Sequence, residues 1–384
     1  MKAVVLAAGE GRRLEPLTNR RPKPMLPVAN RPILEHVVEA IAAAGIDEVV
    51  LVVGYKRDRI QTHFRNGEDF DVDVEYAIQD HQLGTGHAIA TAESHVDGPF
   101  LVLNGDRLID EHVVEAVAEA LTDSGGPVVS VTRVREARNY GVVTLTDGRV
   151  TAIREKPPAY ESTGDLINAG VYGFEPTIFD QVRSTETNEA GETEITATLD
   201  ERGSDGGLET VRYQGRWLDV SYPWDLLTVN GTLLEDGDRG PRVEGATVAD
   251  DVAIAEGVSI GPNTTIGSRV ALGANVTVGS NVTLSNAVVL PDTTIDDGAV
   301  VQDAIVGENT TVGPNSTVVG GESRMVVEDE VHRDVRLGGV IGDSARIGGG
   351  VVLETGAVVG EDAHVASGAR IDGRVPPNAE VHRG

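Results

Sequence analysis

The first part of the chain alternates short apolar runs with amphipathic segments. The runs are rich in β-branched residues and are typical of buried strands: Lys2–Leu6, Glu48–Val53, Val74–Ile78 and Phe100–Leu103. Between them, apolar residues recur at helical spacing over Ile33–Ala44, Arg57–Phe64, Gly86–His95 and Glu111–Leu121. This alternation predicts a Rossmann-like, mostly parallel α/β sheet with helices on both faces. Asp147-Gly148, between two alternating runs, adds a predicted β-hairpin.

Beyond Glu235 the pattern changes to one aliphatic residue every six positions, with Gly, Asn and Thr between. The members are Val248, Ile254, Ile260, Ile266, Leu272, Val278, Leu284 and Leu290, then after a phase shift Val300, Val306, Val312 and Val318, and after an irregular stretch Val335, Ile341, Ile347, Leu353, Val359, Val365 and Ile371. This spacing predicts a left-handed parallel β-helix of hexapeptide repeats, three to a coil. The aliphatic side chains are expected to point inward, and Gly and Asn to take positive φ at the corners. The domains are thus expected at 1–235 and 243–384, with a linker at 236–242.

Charge and composition narrow the classes of function. The 384 residues carry a net charge of −29, and only four of the 32 basic residues are lysine. Such a surface is typical of salt-loving archaea, and it argues against a nucleic-acid partner. Apolar runs of about eighteen residues are absent, so no membrane span is expected. The chain has no cysteine and begins directly with a strand, and we expect a cytoplasmic protein.

The segment from Leu6 to Leu34 has the most informative chemistry. Gly9 and Gly11 follow the first strand, Arg12 and Arg13 come next, and Lys23 stands between two prolines. Glycines let a backbone approach phosphate oxygens, and fixed cations neutralise charge on a polyphosphate during transfer.

This segment resembles the signature of the sugar-1-phosphate nucleotidylyltransferases, including members that carry a C-terminal left-handed β-helix. The resemblance implies transfer of a nucleotidyl group from a nucleoside triphosphate to a sugar 1-phosphate, with release of pyrophosphate. It makes Arg13 and Lys23 catalytic and places Ala8, Gly9 and Gly11 at the nucleotide. No nucleophile of the protein is implied.

Further segments match the family's motifs. Leu101–Asp106 and Tyr213–Asp219 both end a strand-like run in an aspartate. By resemblance Asp106 and Asp219 hold Mg²⁺, which prefers hard oxygen ligands. Ser221-Tyr222 stands where the family commonly has Gly-Thr. The remaining matches are Gln79, Gly84 and Thr85 for the base, and Gly141, Glu155, Lys156 and Asn168 for the sugar phosphate.

Several alternatives remain open at this point. Gln79 with the Leu-Gly-Thr-Gly turn favours UTP or dTTP, with glucose 1-phosphate or N-acetylglucosamine 1-phosphate as acceptor. A mannose-1-phosphate guanylyltransferase is the nearest rival, and a non-catalytic scaffold subunit is a further class. A bifunctional enzyme would also use acetyl-CoA to acetylate an amino-sugar phosphate, with His332 as base; a surface histidine without function is the other interpretation. By analogy with relatives, we expect a homotrimer or higher homo-oligomer through the β-helix.

Overall fold

A computed structural model describes residues 1–158, 164–204, 208–237, 240, 242–328 and 330–383. Two compact units divide the chain, and they do not follow its order. The first unit comprises Met1–Glu10, Pro22–Met25 and Ile33–Leu218, and the second comprises Gly11–Arg21, Leu26–Pro32 and Asp219–Gly384. The predicted linker includes residues 238, 239 and 241, which lie outside the described residues, and the predicted domain boundary stays a prediction. Among the described helices, none has the length and apolar character needed to cross a bilayer.

One mixed sheet organises the first unit. Its strands are β1 (Lys2–Leu6), β2 (Glu48–Val53), β3 (Asp73–Ile78), β4 (Phe100–Asn104), β5 (Val128–Arg133), β6 (Gly141–Thr146), β7 (Arg149–Glu155), β8 (Leu166–Phe174) and β9 (Glu209–Arg212). The order is β7-β6-β8-β4-β1-β2-β3, and β5 pairs with both β8 and β9. The strands β4-β1-β2-β3 are parallel, while β8 runs antiparallel to β4 and to β5. The parallel α/β sheet expected from the sequence is confirmed, with antiparallel strands added beyond β4.

Helices cover both faces of this sheet. They are α1 (Ile33–Ala43), α2 (Arg57–Phe64), α3 (Thr85–Thr91), α4 (Glu111–Ser124), α5 (Ile178–Ser184) and α6 (Ile195–Ser204), with 3₁₀ turns at Lys23–Met25, Glu68–Phe70, Glu93–His95 and Ala137–Asn139. Successive β1 residues point to opposite faces: Val5 packs in a cluster with residues of α1, α2 and α4, and Val4 packs with residues of α3, α5 and α6. This is the period-two burial of a strand covered on both sides.

The predicted hairpin at Asp147-Gly148 is confirmed. It joins the antiparallel strands β6 and β7. Asp147 has φ 50° and Gly148 has φ 84°, so both central residues are left-handed, which matches the twist of a two-residue hairpin. The register pairs Gly141 with Glu155 at the open end of this hairpin.

The second unit contains α7 (Pro223–Glu235), a 3₁₀ turn at Arg12–Leu14 and a long series of short strands. The strands before the repeats are Pro27–Val28, Arg31–Pro32 and Leu218–Asp219, the last of which begins in the first unit. Those of the repeats are Thr247–Val248, Val252–Ile254, Ser259–Ile260, Thr265–Ile266, Val270–Leu272, Thr277–Val278, Thr283–Val289, Thr294–Ile295, Val300–Val306, Thr311–Val312, Thr317–Val318, Gly339–Ile341, Arg346–Ile347, Val352–Leu353, Ala357–Val359, His364–Val365, Arg370–Ile371, Arg374–Val375 and Glu380–Val381. The repeat strands pair in parallel with strands one coil away, as in a β-helix, and Ile266 pairs with Leu284, 18 positions on.

The phase of the repeat differs from the sequence expectation at three residues. Leu284 pairs with Val301, only 17 positions on, and Val301 rather than Val300 joins the core. Likewise Val289, rather than Leu290, is in the core cluster. The register therefore shifts twice, by one residue each time.

The third difference is Val335, which lies outside the coils in an antiparallel hairpin formed by Glu322–Val327 and Glu330–Arg336. We call this segment the inserted hairpin. Because of it, Thr317 pairs with Val352, 35 positions on instead of 17 or 18.

Glycine has two kinds of position in the coils: corner glycines such as Gly257 and Gly298 take positive φ, 75° and 72°, as expected, and other glycines do not. Corner asparagines such as Asn263 and Asn275 do take positive φ, 59° and 60°. Gly261, directly after an inward isoleucine, does not; a Cβ there would lie 2.6 Å from the carbonyl carbon of Gly279 on the next coil. At this position the requirement for glycine comes from close stacking of coils, not from backbone conformation.

Candidate active site

The carboxyl ends of the central strands of the first unit lie side by side. Leu6, the last residue of β1, pairs with Val52 of β2 and with Asn104 of β4. Ligands of open α/β sheets bind at this edge. A Cβ built on Gly9, just beyond β1, meets no described atom within 4 Å, so the backbone here borders open space. Ala8 is 5% exposed, and its carbonyl oxygen accepts a hydrogen bond from Gln82 Nε2 at 2.8 Å.

Two residues predicted for catalysis and for metal binding contact each other. Lys23 Nζ donates to Asp106 Oδ2 at 2.6 Å, and the two side chains are 13% and 29% exposed. Burial by itself raises the pKa of the Asp106 carboxyl, but the charges of Lys23 and Arg107 and the hydrogen bond from Lys23 outweigh it and hold this pKa well below its usual range. Asp106 is therefore an ionised, hard oxygen donor at the end of β4.

This donor fits Mg²⁺. The described residues contain no group of three or more His, Cys, Asp or Glu side chains arranged to hold a metal by themselves. Mg²⁺ commonly uses one or two carboxylates and completes its octahedron with substrate phosphates and water. An ionised aspartate without a full protein cage matches that type of site.

Gln79 lies directly after β3 and lines a cavity of about 480 Å³, which we call the Gln79 cavity. The backbone nitrogen of Gln79 donates to Val53 O at 2.8 Å, and Gln79 as a whole is 4% exposed. The cavity is lined by Glu10, Gly54, Tyr55, Arg57, Gln79, Asp80, His81, Gln82 and Leu83. Leu83 is 42% exposed, so the lining of this cavity includes apolar surface as well as Gln79.

The Gly-Thr-Gly turn after the cavity is fixed against the segment before α6. A Cβ on Gly84, which has φ 93°, would lie 2.4 Å from Thr193 O. The Thr85 hydroxyl donates to Glu194 at 2.7 Å and accepts from Ile195 N at 2.9 Å. The hydroxyl of Thr85 is thus used within the protein, and its predicted contact with a nucleotide stays a prediction.

The open end of the β6–β7 hairpin brings together three residues predicted for the sugar phosphate. A Cβ on Gly141 would lie 3.0 Å from Glu155 Oε2, so only glycine leaves this carboxylate undisturbed. Burial raises the pKa of Glu155, and the nearby Lys156 opposes this. Lys156 Nζ lies 4.0 Å from Glu155 Oε1, and its side chain is 57% exposed. A carboxylate that is 39% exposed and an exposed cation are therefore adjacent.

Asn168, the fourth residue predicted for the sugar phosphate, lies in β8 and is held from both ends of its amide. Its Nδ2 donates to the Tyr172 hydroxyl at 2.5 Å, and its Oδ1 accepts from Gly170 N at 3.0 Å. Gly170 has φ 83°, and a Cβ there would lie 2.6 Å from Asn104 Nδ2. This links Asn168 to the end of β4, two residues before Asp106.

Arg107 is a site residue that the sequence reasoning did not single out. Its guanidinium carbon lies 5.3 Å from the ring centres of both Tyr140 and Trp217. Its charge contributes to the lowered pKa of Asp106 and opposes the rise that burial causes in the pKa of Glu155. The tryptophan is in turn fixed by a 2.9 Å bond from Nε1 to Ala169 O. The sequence did offer one signal for Arg107, namely that it directly follows the predicted metal ligand Asp106.

Arg13 belongs to the second unit, where it contacts the inserted hairpin. Gly11, with φ 72°, precedes the 3₁₀ turn Arg12–Leu14 that carries it. Arg13 Nε donates to Glu328 Oε2 at 2.7 Å, and its guanidinium carbon lies 5.7 Å from the Tyr222 ring centre. The hydrogen bond to Glu328 raises the pKa of Arg13, which is permanently charged.

Asp219 also lies in the second unit. The Ser221 hydroxyl donates to Asp219 Oδ2 at 2.6 Å, so the serine at the position where the family commonly has glycine contacts the predicted metal ligand directly. Asp225 Oδ2 accepts from the backbone nitrogens of Ser221 and Tyr222 at 3.0 and 2.8 Å and thereby closes the start of α7. A shared Mg²⁺ between Asp106 and Asp219 stays a prediction.

The rest of the signature loop is bound to corners of the β-helix. Arg21, 4% exposed, donates to Asp343 at 2.9 Å and to Glu308 at 2.6 Å. Arg20 forms an ion pair with Asp362, and Asn19 Nδ2 donates to Glu361 at 2.8 Å. Within the second unit, the segment that carries Asn19 to Arg21 is therefore held to the β-helix by a buried ion pair.

His332 is not a free surface histidine. Its ring centre lies 4.5 Å from that of Tyr222 and 5.1 Å from that of Trp224, and those two rings stack on each other at 4.7 Å. The inserted hairpin is thereby fixed to the start of α7. The expectation that His332 lies free on the surface is wrong, since the imidazole packs in an aromatic cluster, and a role of His332 as a base stays a prediction.

Known proteins share these features. Residues 2–236 match the family model described as "Nucleotidyl transferase", and residues 248–337 match the model described as "GMPPB C-terminal domain". The first match covers more than half of the chain, and the chain belongs to the nucleotidyl transferase family.

Similar curated proteins include "Bifunctional protein GlmU" of Methanococcus maripaludis, 37% identical over 61% of this chain and 54% of that protein. Another is "Low-salt glycan biosynthesis nucleotidyltransferase Agl11" of Haloferax volcanii, 35% identical over 65% of this chain and 70% of that protein. A solved structure of a "Putative Glucose-1-Phosphate Thymidylyltransferase" from Bacillus anthracis aligns with TM-score 0.57 at 26% identity, covering 63% of this chain and 98% of that one. The matched segment spans about half the length of the GlmU relatives.

Proposed function

We propose that this protein transfers a nucleotidyl group from UTP or dTTP to a sugar 1-phosphate, glucose 1-phosphate or N-acetylglucosamine 1-phosphate, and releases pyrophosphate. The observation that carries the proposal is the 2.6 Å pair between Lys23 and Asp106 beside the glycine-lined end of β1. A half-buried cation next to an ionised carboxylate at the ligand-binding edge of an α/β sheet suits a metal–triphosphate substrate.

The Gln79 cavity supports a pyrimidine nucleotide. The amide oxygen of Gln79 can accept a hydrogen bond, which suits the ring N–H of uracil or thymine. The exposed Leu83 offers apolar contact to the face of a base. A curated relative from Streptomyces antibioticus, 37% identical over 64% of this chain and 69% of its own length, is named glucose-1-phosphate thymidylyltransferase.

Glu155, Lys156, Gly141 and Asn168 support the sugar 1-phosphate. The Glu155 carboxylate would accept hydrogen bonds from sugar hydroxyls, and Asn168 would add an amide. Lys156, 4.0 Å from Glu155 and largely exposed, can turn to the phosphate. Charge-assisted hydrogen bonds of this kind fix orientation as well as affinity.

The proposed reaction is an in-line displacement. An oxygen of the sugar phosphate forms a bond to the α-phosphorus, and the bond from this phosphorus to the α–β bridging oxygen of the triphosphate breaks, so that this oxygen leaves with the pyrophosphate. Lys23 and Arg13 neutralise charge on the phosphates, and positioning with charge stabilisation supplies the catalysis. Asp106 and Asp219 would hold Mg²⁺, which when bound neutralises phosphate charge and helps align the reacting oxygens.

A substrate panel tests the proposal. Pyrophosphate release is measured with UTP, dTTP, GTP and CTP, each with glucose, N-acetylglucosamine and mannose 1-phosphate, in molar KCl with and without Mg²⁺. We expect release with UTP or dTTP and one of the first two sugars, dependent on Mg²⁺. Exclusive use of GTP with mannose 1-phosphate would establish the guanylyltransferase alternative, and no release with any pair would leave the scaffold alternative.

The activity of the β-helix needs a separate assay. Free thiol released from acetyl-CoA in the presence of glucosamine 1-phosphate reports acetyl transfer, and His332→Phe is the matched variant because it keeps an aromatic ring in the cluster. Sedimentation or light scattering tests the expected trimer. Neither property is needed for the nucleotidyl transfer proposed above.

A further inference from the structure

One hydrogen bond between side chains carries an inference about how the base is selected. Gln79 Nε2 lies 2.8 Å from His87 Nδ1 and 3.5 Å from Gly84 O. Gln79 is almost completely buried, and it lines the Gln79 cavity. His87 is half-buried on α3 and had no role in the sequence interpretation.

The neighbours of the amide decide which way it points. The carbonyl oxygen of Gly84 can only accept a hydrogen bond, so the amide atom facing it is the NH₂ nitrogen. His87 Nδ1 then accepts the other amide hydrogen, and the neutral imidazole carries its proton on Nε2. Both amide hydrogens are directed to protein acceptors, which leaves Oε1 as the atom that Gln79 presents to a ligand.

His87 is well placed to hold this orientation. It is the third residue of α3, and the start of this helix is fixed because Gly86 N donates to Thr193 O at 2.8 Å. A Cβ on Gly86 would lie 2.9 Å from that same oxygen, so glycine is what allows the helix to approach Thr193 this closely. The backbone next to His87 is therefore fixed, and the contact with Gln79 Nε2 at 2.8 Å fixes where the imidazole Nδ1 lies.

We propose that His87 is a positioning residue for base selection: it fixes the Gln79 amide so that Oε1 accepts from the ring N–H of uracil or thymine. This rests on the proposed function. Uracil and thymine carry a hydrogen on N3, whereas N3 of cytosine is an acceptor. With the amide held by His87, a bound cytosine would place its N3 acceptor against the Oε1 acceptor of Gln79. Neither atom would then have a hydrogen-bond partner, and the cost of leaving a buried polar group unpaired disfavours cytosine.

The test compares kcat/KM for UTP and CTP with one sugar 1-phosphate, because the two bases have the same size. The variants are His87→Phe, which keeps ring volume without the acceptor, and His87→Asn, whose Oδ1 can take the place of Nδ1. We expect H87F to lower the UTP:CTP ratio by roughly tenfold, the size of one lost buried hydrogen bond, mainly through the KM for UTP. H87N should stay within about threefold of wild type by the same reasoning.

A second substrate and a control variant sharpen the result. Wild type should discriminate against N3-methyl-UTP, which lacks the ring N–H, and H87F should lose most of that discrimination. Thr91→Val is the control on the same helix: the Thr91 hydroxyl donates to the backbone oxygen of His87, at 2.9 Å, and this bond does not involve the imidazole, so the ratio should not change.

The outcomes separate the two proposals. If wild type transfers from UTP and H87F keeps the wild-type ratio, the role of His87 is refuted and the proposed function stands. If wild type uses no pyrimidine triphosphate, the proposed function itself fails, and this inference with it. Circular dichroism melts confirm folding of each variant, and His87→Met makes the same comparison if H87F does not fold.

Discussion

Removing the Lys23 side chain gives the sharpest test of the candidate site. At 2.6 Å and an effective dielectric constant of about 20, the attraction between Lys23 and Asp106 is about 6 kcal/mol before desolvation is subtracted. Removing one partner of a fully buried pair costs about 3–5 kcal/mol. Because Asp106 keeps 29% of its side-chain exposure, we expect Lys23→Ala to cost about 2–3 kcal/mol of unfolding free energy, a value between those of buried and surface pairs.

Activity should fall separately from stability. Loss of one preorganised charge donor typically reduces turnover by about 10²–10³, or about 2.7–4 kcal/mol. The double variant Lys23→Ala with Asp106→Asn removes the uncompensated carboxylate, so it should regain most of the stability but none of the activity. Lys2→Ala is the matched control, because Lys2 pairs with Glu75 at 3.1 Å at the opposite end of β1, where Glu75 is 53% exposed.

The two effects are measured by urea unfolding in molar KCl and by coupled detection of pyrophosphate. A K23A variant that releases pyrophosphate at near wild-type rates would remove Lys23 from the mechanism. A double variant that stays as unstable as K23A would show that the pair does not have the energetics inferred from its geometry.

The remaining predictions concern charge. Because the pKa of Asp106 is lowered on folding, its stabilising effect is present above the usual carboxyl pKa of about 4 and is lost as the pH falls below it; the acid unfolding midpoint of K23A should therefore lie at higher pH than that of wild type. With a net charge of −29, the thermal midpoint should rise between dilute buffer and about 1 M KCl, where the screening length shrinks to roughly 3 Å, and an unchanged circular dichroism melt would contradict this. Glu328→Gln keeps an acceptor for Arg13 but removes the competing charge, so the KM for the triphosphate should fall by about two- to fivefold at low salt, within the range of exposed ion pairs, and steady-state kinetics at several salt concentrations test it. Arg21→Met leaves the buried Asp343 without its cation and should cost about 3–5 kcal/mol in urea unfolding, much of which Asp343→Asn in the same chain should restore.

The strands of the first unit could be predicted closely from the sequence. Lys2–Leu6 and Glu48–Val53 begin and end where their apolar runs do. A continuous run of β-branched residues between polar residues fits few conformations other than a buried strand. The predicted helix Gly86–His95 instead begins at Thr85, ends at Thr91 and continues as a separate 3₁₀ turn. Contacts of Gly84 and Gly86 with Thr193, more than 100 positions away, set its start, and local periodicity does not contain them.

The phase of the β-helix shows a different limit. Val288, Val289 and Leu290 are consecutive aliphatic residues, and so are Val300 and Val301. A period-six pattern fits either neighbour, so a single missing residue cannot be located from hydropathy. The choice is made by stacking on the coil below, where Leu272 pairs with Val289 and Leu284 pairs with Val301.

The motifs identified the residues of the candidate site but not their partners. Lys23 and Asp106 were both singled out, yet nothing in their spacing indicated that they contact each other. Gln79 was identified without the histidine that orients its amide. Arg13 bonds Glu328, 315 positions on, in a segment that resembled only an irregular stretch between coils. Pairings of this kind depend on tertiary contacts, which a single sequence does not record.

The attachment of Asn19, Arg20 and Arg21 to the coils has a consequence for biosynthesis. Asn19 and Arg20 bond residues 342 positions later. Chains grow from the N-terminus at about 5–20 residues per second. The residues that bind Asn19 and Arg20 are therefore synthesised tens of seconds after these two residues. We expect a nascent or prematurely terminated polypeptide to lack an ordered loop, so that only finished molecules become competent for turnover.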